Sequence, residues 1–164
     1  MSEEKYEFEV GEKGQEGLDI LDVMFNQNTQ NQIKKAGLKK GMRVLDIGCG
    51  RGAISLWLAN AVGDTGKVLA IDNGENQIKA TINLLKGKQP AWLSFKVFSA
   101  HDLENLNESF DMVYSRFILH HIEHAMIVIQ KIYDLLPEGG LFVAEEGIVS
   151  AAFSYPTISG WGEE

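Results

Sequence analysis

The chain has 164 residues, 15 Lys and Arg against 23 Asp and Glu for a formal net charge of −8, and 45% hydrophobic residues, enough for one domain around a single core. One cysteine excludes a disulfide framework or a zinc site built from cysteine pairs, and the acidic start Met1-Ser2-Glu3-Glu4 is too polar for a secretory leader. No apolar run approaches the roughly 20 residues of a membrane helix, and an acidic chain without a basic stretch is a poor nucleic-acid binder, because phosphate neutralisation drives that affinity. These features predict a cytoplasmic protein that binds neither membrane nor nucleic acid and whose charge tolerates a cationic ligand.

Residues 1–17 are charged and punctuated by Gly11, Gly14 and Gly17, which predicts a loose acidic arm, with the folded domain running over 18–164. Two short helices are expected near 18–25 and 29–37, stopped by Gly37 and Gly41. Residues 43–47 form a short apolar run ending at glycines, as suits a strand buried on both faces. Ile54, Trp57, Leu58, Ala61 and Val62 follow at helical spacing. A second strand is predicted over 67–72, then a helix lined by Ile78, Ile82 and Leu85, broken by Pro90. Strands are predicted over 93–98 and 110–115. The next helix has an apolar face of Ala125, Val128, Ile129, Ile132, Leu135 and Leu136, and a fifth strand is predicted over 141–146. Such alternation predicts an α/β fold, a doubly wound parallel sheet with helices on both faces and its ligand at the carboxyl ends of the strands.

The segment Asp46-Ile47-Gly48-Cys49-Gly50-Arg51-Gly52 joins the first strand to a helix. Glycines there let the backbone turn sharply and approach a ligand. Gly48-x-Gly50-x-x-Ala53 also fits a dinucleotide fingerprint, but a carboxylate at Asp46 would repel a pyrophosphate. The same carboxylate suits a cation such as S-adenosylmethionine, which carries an ammonium and a sulfonium. No Gly-Lys-Ser/Thr ending is present, which excludes a nucleoside-triphosphate loop. Asp72 closes the second strand, 24 residues after Gly48, where an acidic side chain can accept both ribose hydroxyls of an adenosine.

Taken together, Val44-Leu45-Asp46-Ile47-Gly48-Cys49-Gly50-Arg51-Gly52, Val68-Leu69-Ala70-Ile71-Asp72, Phe110-Asp111-Met112-Val113-Tyr114-Ser115-Arg116 and Leu136-Pro137-Glu138-Gly139-Gly140 resemble, in order and spacing, four motifs of the class I S-adenosylmethionine-dependent methyltransferases. The resemblance runs from about Leu18 to about Gly147 and implies a Rossmann-like fold, S-adenosylmethionine as cofactor and a small-molecule methyl acceptor. By that resemblance Asp46, Gly48 and Gly50 surround the methionine moiety within a loop completed by Cys49, Arg51 and Gly52. Asp72 holds the ribose, and Asn73 and Gln77 lie beside the adenosine. Ser99 stands where many relatives carry an Asp for the adenine amino group, so Ala100 and His101 supply contacts there and Asp102 compensates. Ser115 and Arg116 border the cofactor from below the reacting methyl.

His120, His121 and His124 invite a metal reading, but no third ligand follows at a suitable spacing, and no metal site is expected. His121 is a candidate general base, whereas Cys49 reads as a small residue filling a turn. Trp57 and Trp92 read as core, and Tyr155 and Trp161 as residues facing a substrate or a partner. Methyl transfer needs chiefly alignment, so no catalytic dyad has to be visible and no catalytic residue is assigned. Family members add an antiparallel hairpin after the fifth strand. With five strands visible here and that hairpin missing, the apolar edge of strand five predicts a homodimer. Alternatives are a module that binds the cofactor without turnover, a truncated methyltransferase core and, ranked lower, a nicotinamide-dependent oxidoreductase.

Overall fold

A computed structural model describes the backbone of residues 12–147 and the side chains of residues 24–147. Tyr155 and Trp161 lie outside the described residues. Four helices, α1 (Glu12–Ala36), α2 (Ala53–Val62), α3 (Glu75–Leu84) and α4 (Ala125–Leu135), alternate with five strands, β1 (Arg43–Ile47), β2 (Lys67–Asp72), β3 (Leu93–Val97), β4 (Met112–Arg116) and β5 (Leu141–Glu145). The strands form one sheet of order β3-β2-β1-β4-β5, and every pairing is parallel. The order therefore reverses at β1, between β2 and β4, which places the expected ligand crevice at the carboxyl ends of those three strands.

Alternate residues of each strand feed separate cores. Val44, Val68, Ala70, Met112 and Tyr114 pack with Ile33 of α1 and with Ile54, Leu58 and Val62 of α2 on one face. Leu45, Ile47, Leu69, Ile71 and Val113 pack on the other face with Val128 and Ile132 of α4. Leu103 and Leu106, from a 3₁₀ segment at Ala100–Leu106 that no periodicity announced, join this second core. Burial on both faces is why β1 and β2 read as nearly continuous apolar runs.

Two differences from the sequence reading have simple causes. The helices expected near 18–25 and 29–37 are one helix, which begins at Glu12, inside the segment read as an arm. Nothing between Leu18 and Ala36 is a proline or glycine, and a run of asparagines, glutamines and a threonine over 26–32 interrupts apolarity without interrupting the helix. Gly37, at φ 120°, ends the helix. On α3, Ile82 is 42% exposed, while Ile78 and Thr81, with Leu85 just past its end, face inward, so the buried stripe is narrower than expected and includes a threonine. Trp57 and Trp92 pack partly buried against the first core.

Candidate functional site

The loop from Gly48 to Gly52 is tied to the end of β2 through its own amides. Gly48 and Cys49 both donate to the Ile71 carbonyl (2.8 and 3.0 Å), and Gly52 donates to the Cys49 carbonyl at 2.9 Å. Gly50 donates to Oδ2 of Asp72 at 3.2 Å, and Gly74, at the head of α3, donates to Oδ1 at 2.9 Å. Thr81 completes the frame by donating from Oγ1 to the Gly50 carbonyl at 2.7 Å. Four loop amides are thus committed to protein acceptors. A phosphate cradle needs such amides turned outward toward the anion.

A cavity of about 270 Å³ opens at these strand ends, a little below the roughly 300–1,000 Å³ of typical small-molecule sites. Of the residues picked from the sequence, Gly48, Asp72, Asn73, Ser99, Ala100, His101 and His121 line it. Ser99 accepts the His101 amide (3.1 Å), which starts the 3₁₀ segment behind this wall. Lys131 of α4 bonds both the His101 carbonyl and Glu104, fixing that segment to the helix layer.

The other picks lie off the cavity wall. Cys49, Gly50, Arg51 and Gly52 form the loop behind it, and Gln77 on α3 turns toward Thr81 (3.5 Å). Arg116 points to α1, where its Nη1 donates to Asn26 (2.9 Å) and Thr29 (3.4 Å). Thr29 in turn donates to Glu145 at 2.6 Å, closing a polar clasp between α1 and the ends of β4 and β5. Ser115 is fully buried, and its hydroxyl has no hydrogen-bond partner among the described residues. Sequence reasoning missed most of the cavity's apolar wall, Ile71, Phe98, Ile118 and Ile122. Ile118 lies over Gly48 so closely that a Cβ there would fall 2.2 Å from its Cδ1.

Asp46 is 3% exposed and faces α2, where Ser55 donates to it at 2.6 Å. Burial pushes its carboxyl up to about 6, against the pull of Ser55 and the Arg116 guanidinium and with a further push from Asp72. A folded-state value above the unfolded one means that the proton stabilises the fold. This stability is complete below about pH 4 and is lost as the pH rises through about 6, a contribution of the order of 3 kcal/mol. Asp46→Asn is therefore expected to resist urea better than the parent chain at pH 7 and to lose that part of the pH slope. Equal unfolding midpoints at pH 7 would show that Asp46 ionises without cost.

Burial foremost, then the charges of Asp46 and Asp72, pushes the Cys49 thiol far up, so it stays protonated and is no nucleophile. His121 stands at the cavity mouth with its pKa lowered by desolvation and by neighbouring His120, against an opposing pull from Glu146. It is neutral near pH 7 and able to accept a proton. Among the described residues no cluster of three His, Cys, Asp or Glu is suited to a metal ion.

A family profile described as a methyltransferase domain matches residues 38–159. The demethylmenaquinone methyltransferase of Oceanobacillus iheyensis is 30% identical over 132 residues, covering 80% of this chain and 53% of that protein. A probable cobalt-precorrin-6B C(15)-methyltransferase (decarboxylating) of Saccharolobus solfataricus is 33% identical over 125 residues, covering 69% of this chain and 56% of that protein. The crystal structure of a SAM-dependent methyltransferase from Aquifex aeolicus matches with a TM-score of 0.60 at 23% identity, over 65% of this chain and 57% of that one, a likeness of fold. The chain belongs to the class I, Rossmann-like S-adenosylmethionine-dependent methyltransferases. It spans about half the length of the curated relatives it matches.

Proposed function

We propose that this chain is the cofactor-binding core of an enzyme that methylates a small molecule. The observation that carries this is a loop whose amides are already taken by Ile71, Cys49 and Asp72, lying beside two carboxylates, Asp72 and the buried Asp46. That arrangement turns four loop amides away from an anion and places negative charge beside the loop, which favours a cation over a pyrophosphate and ranks the nicotinamide reading lower.

The residues fit S-adenosylmethionine. A carboxylate has about four acceptor positions, and the Gly50 and Gly74 amides take two at Asp72, leaving room for a ribose diol. The apolar wall of Ile71, Phe98, Ile118 and Ile122 suits an adenine face, with Asn73, Ser99 and His101 as polar neighbours. Asp46 acts through space on positive charge near the loop. When bound, the cofactor supplies a methyl group already activated by its sulfonium charge. The protein's part is to hold the acceptor in line and exclude water. Where the acceptor must lose a proton, His121 is the imidazole placed at the cavity mouth to take it.

Two of the curated relatives are named as methyltransferases for demethylmenaquinone and cobalt-precorrin-6B, both small molecules, which supports an acceptor of that class. No helix among the described residues is long and apolar enough to cross a membrane, in keeping with action in the cytoplasm. β5 pairs only with β4 among the described residues, so its outer edge supports pairing with a second copy. Light scattering is expected to show a dimer, and a monomer at high concentration would remove this reading.

The test is a calorimetric titration of the chain with S-adenosylhomocysteine, with NADH in parallel. Binding of the former alone is expected. Binding of NADH alone, or of neither, overturns the proposal. Asp46→Asn separates the ligands further, weakening the sulfonium cofactor while leaving a dinucleotide unaffected or improved.

A further inference from the structure

Glu146 lies one residue beyond β5 and has no place in the cofactor contacts described above, yet three groups of one turn converge on it. Its Oε1 accepts the amides of Ile118 (3.1 Å) and Leu119 (3.0 Å), and its Oε2 lies 2.6 Å from Nδ1 of His120. Burial works against its charge, but the bonds from His120 and the two amides outweigh burial and hold the carboxyl below its ordinary range. The His120 ring lies 3.7 Å from the His121 ring, centroid to centroid, at a 46° tilt. One carboxylate thus grips both the main chain and a side chain of a turn in which Ile118 and His121 are cavity wall.

The turn needs an outside hold. Phe117 at its start has φ 55°, a left-handed conformation unfavourable for a bulky residue, and the 3₁₀ segment Leu119–His121 is only three residues long. The Phe117 end is fixed by its amide, which donates to the Glu145 carbonyl (2.8 Å), and by an edge-to-face contact with Phe25, with centroids 5.3 Å apart. The Ile118–His120 stretch is the part that Glu146 fixes.

We propose that Glu146 is a positioning residue for the cofactor cavity, holding the turn after β4 so that Ile118 stays over Gly48 and His121 stays at the cavity wall. This rests on the reading of that cavity as the S-adenosylmethionine site.

The experiment measures S-adenosylhomocysteine affinity by calorimetry for the parent chain, Glu146→Ala, Glu146→Gln and His120→Ala, together with histidine ring resonances by NMR. The chain has four histidines, few enough to assign each by substitution. A turn that keeps the competent geometry about one-tenth of the time raises the apparent Kd about tenfold, and this is expected for Glu146→Ala. Glu146→Gln, whose carbonyl still accepts both amides, should recover most of the affinity. The ligand-induced shift of the His121 ring should vanish in Glu146→Ala and survive in Glu146→Gln. If alanine at 146 prevents folding, His120→Ala keeps the test, since it removes the ring link and leaves both amide bonds. With both amides still held it should keep most of the affinity but show a smaller His121 shift than the parent, and an unchanged shift would count against the proposal. A purely structural role predicts a lower melting temperature for Glu146→Ala but parental affinity and an unchanged His121 shift, which overturns the proposal. Failure of the parent chain to bind removes the cofactor reading itself, a result distinct from any loss confined to the variants.

Discussion

An Asp72→Ala variant is expected to bind S-adenosylhomocysteine at least about a hundredfold more weakly than the parent chain. The carboxylate has two duties, and alanine ends both. Through Oδ1 and Oδ2 it joins the head of α3 at Gly74 to the glycine loop at Gly50, and its remaining lone pairs face the cavity that would hold the ribose. Hydrogen bonds to a charged acceptor are worth roughly 1.5–3 kcal/mol each, and about 1.4 kcal/mol is a factor of ten, so losing two gives a hundredfold or more. Asp72→Asn should fall between the two proteins, since it keeps one acceptor oxygen but turns an NH₂ group toward a backbone amide. Calorimetry reads both variants. Parental affinity in Asp72→Ala would place the ribose elsewhere and undo the cofactor assignment.

The largest effect on stability is expected from Gly52→Ala. Gly52 has φ 73°, and an added Cβ would lie 2.8 Å from Cγ2 of Thr81, 3.0 Å from Cζ of Phe95 and 3.1 Å from Cδ1 of Leu85. Thr81 cannot easily withdraw, because it is buried and its hydroxyl holds the Gly50 carbonyl. Left-handed backbone costs alanine about 1–2 kcal/mol and overpacking about 1–3 kcal/mol, together roughly 2–5 kcal/mol, or a fall in Tm of roughly 5–15 °C for a chain of this size. Gly50→Ala is the control: at φ 50° with nothing within 4 Å of its Cβ, it carries only the backbone cost. Gly48 is a separate case, since a Cβ there would fall 2.2 and 2.3 Å from Cδ1 and Cγ1 of Ile118 and would displace the cavity wall itself. Equal melting of Gly52→Ala and Gly50→Ala would show that the wall of Thr81, Phe95 and Leu85 yields freely.

The sheet was legible in the sequence because its central strands are buried on both faces and are mostly apolar, Asp46 and Ser115 being exceptions. Val44, Leu45 and Ile47 mark β1, and Val68, Leu69 and Ile71 mark β2. The glycine loop was legible too, since backbone geometry at Gly48, Gly50 and Gly52 uses positive φ, which few other residues accept. Helix α1 reads as two because helical periodicity records apolar burial, and its polar middle from Asn26 to Gln32 carries no apolar residue, even where Thr29 is buried. The apolar cavity wall went unseen for a related reason: Phe98, Ile118 and Ile122 look in sequence like any core residue, and only the turns that carry them show that they border an opening. Asp46 stands out in the sequence as a charge beside the loop, but its facing toward Ser55 rather than the cavity depends on which side of β1 it occupies. Glu146 carried no signal, because its partners lie 26 to 28 residues earlier and belong to the main chain as much as to side chains.

The strand order also bears on how such a chain emerges from a ribosome. β1 is the middle strand, yet its second neighbour is β4, and Arg43 meets Asp111 across 68 residues of sequence. Translation at roughly 5–20 residues per second leaves that side of β1 unpaired for several seconds after β2 has docked. During that interval the nascent chain presents an apolar strand edge of the kind that holdase chaperones cover and that neighbouring chains can capture. Limited proteolysis of chains stalled before and after residue 116 should show β1 becoming protected only in the longer ones.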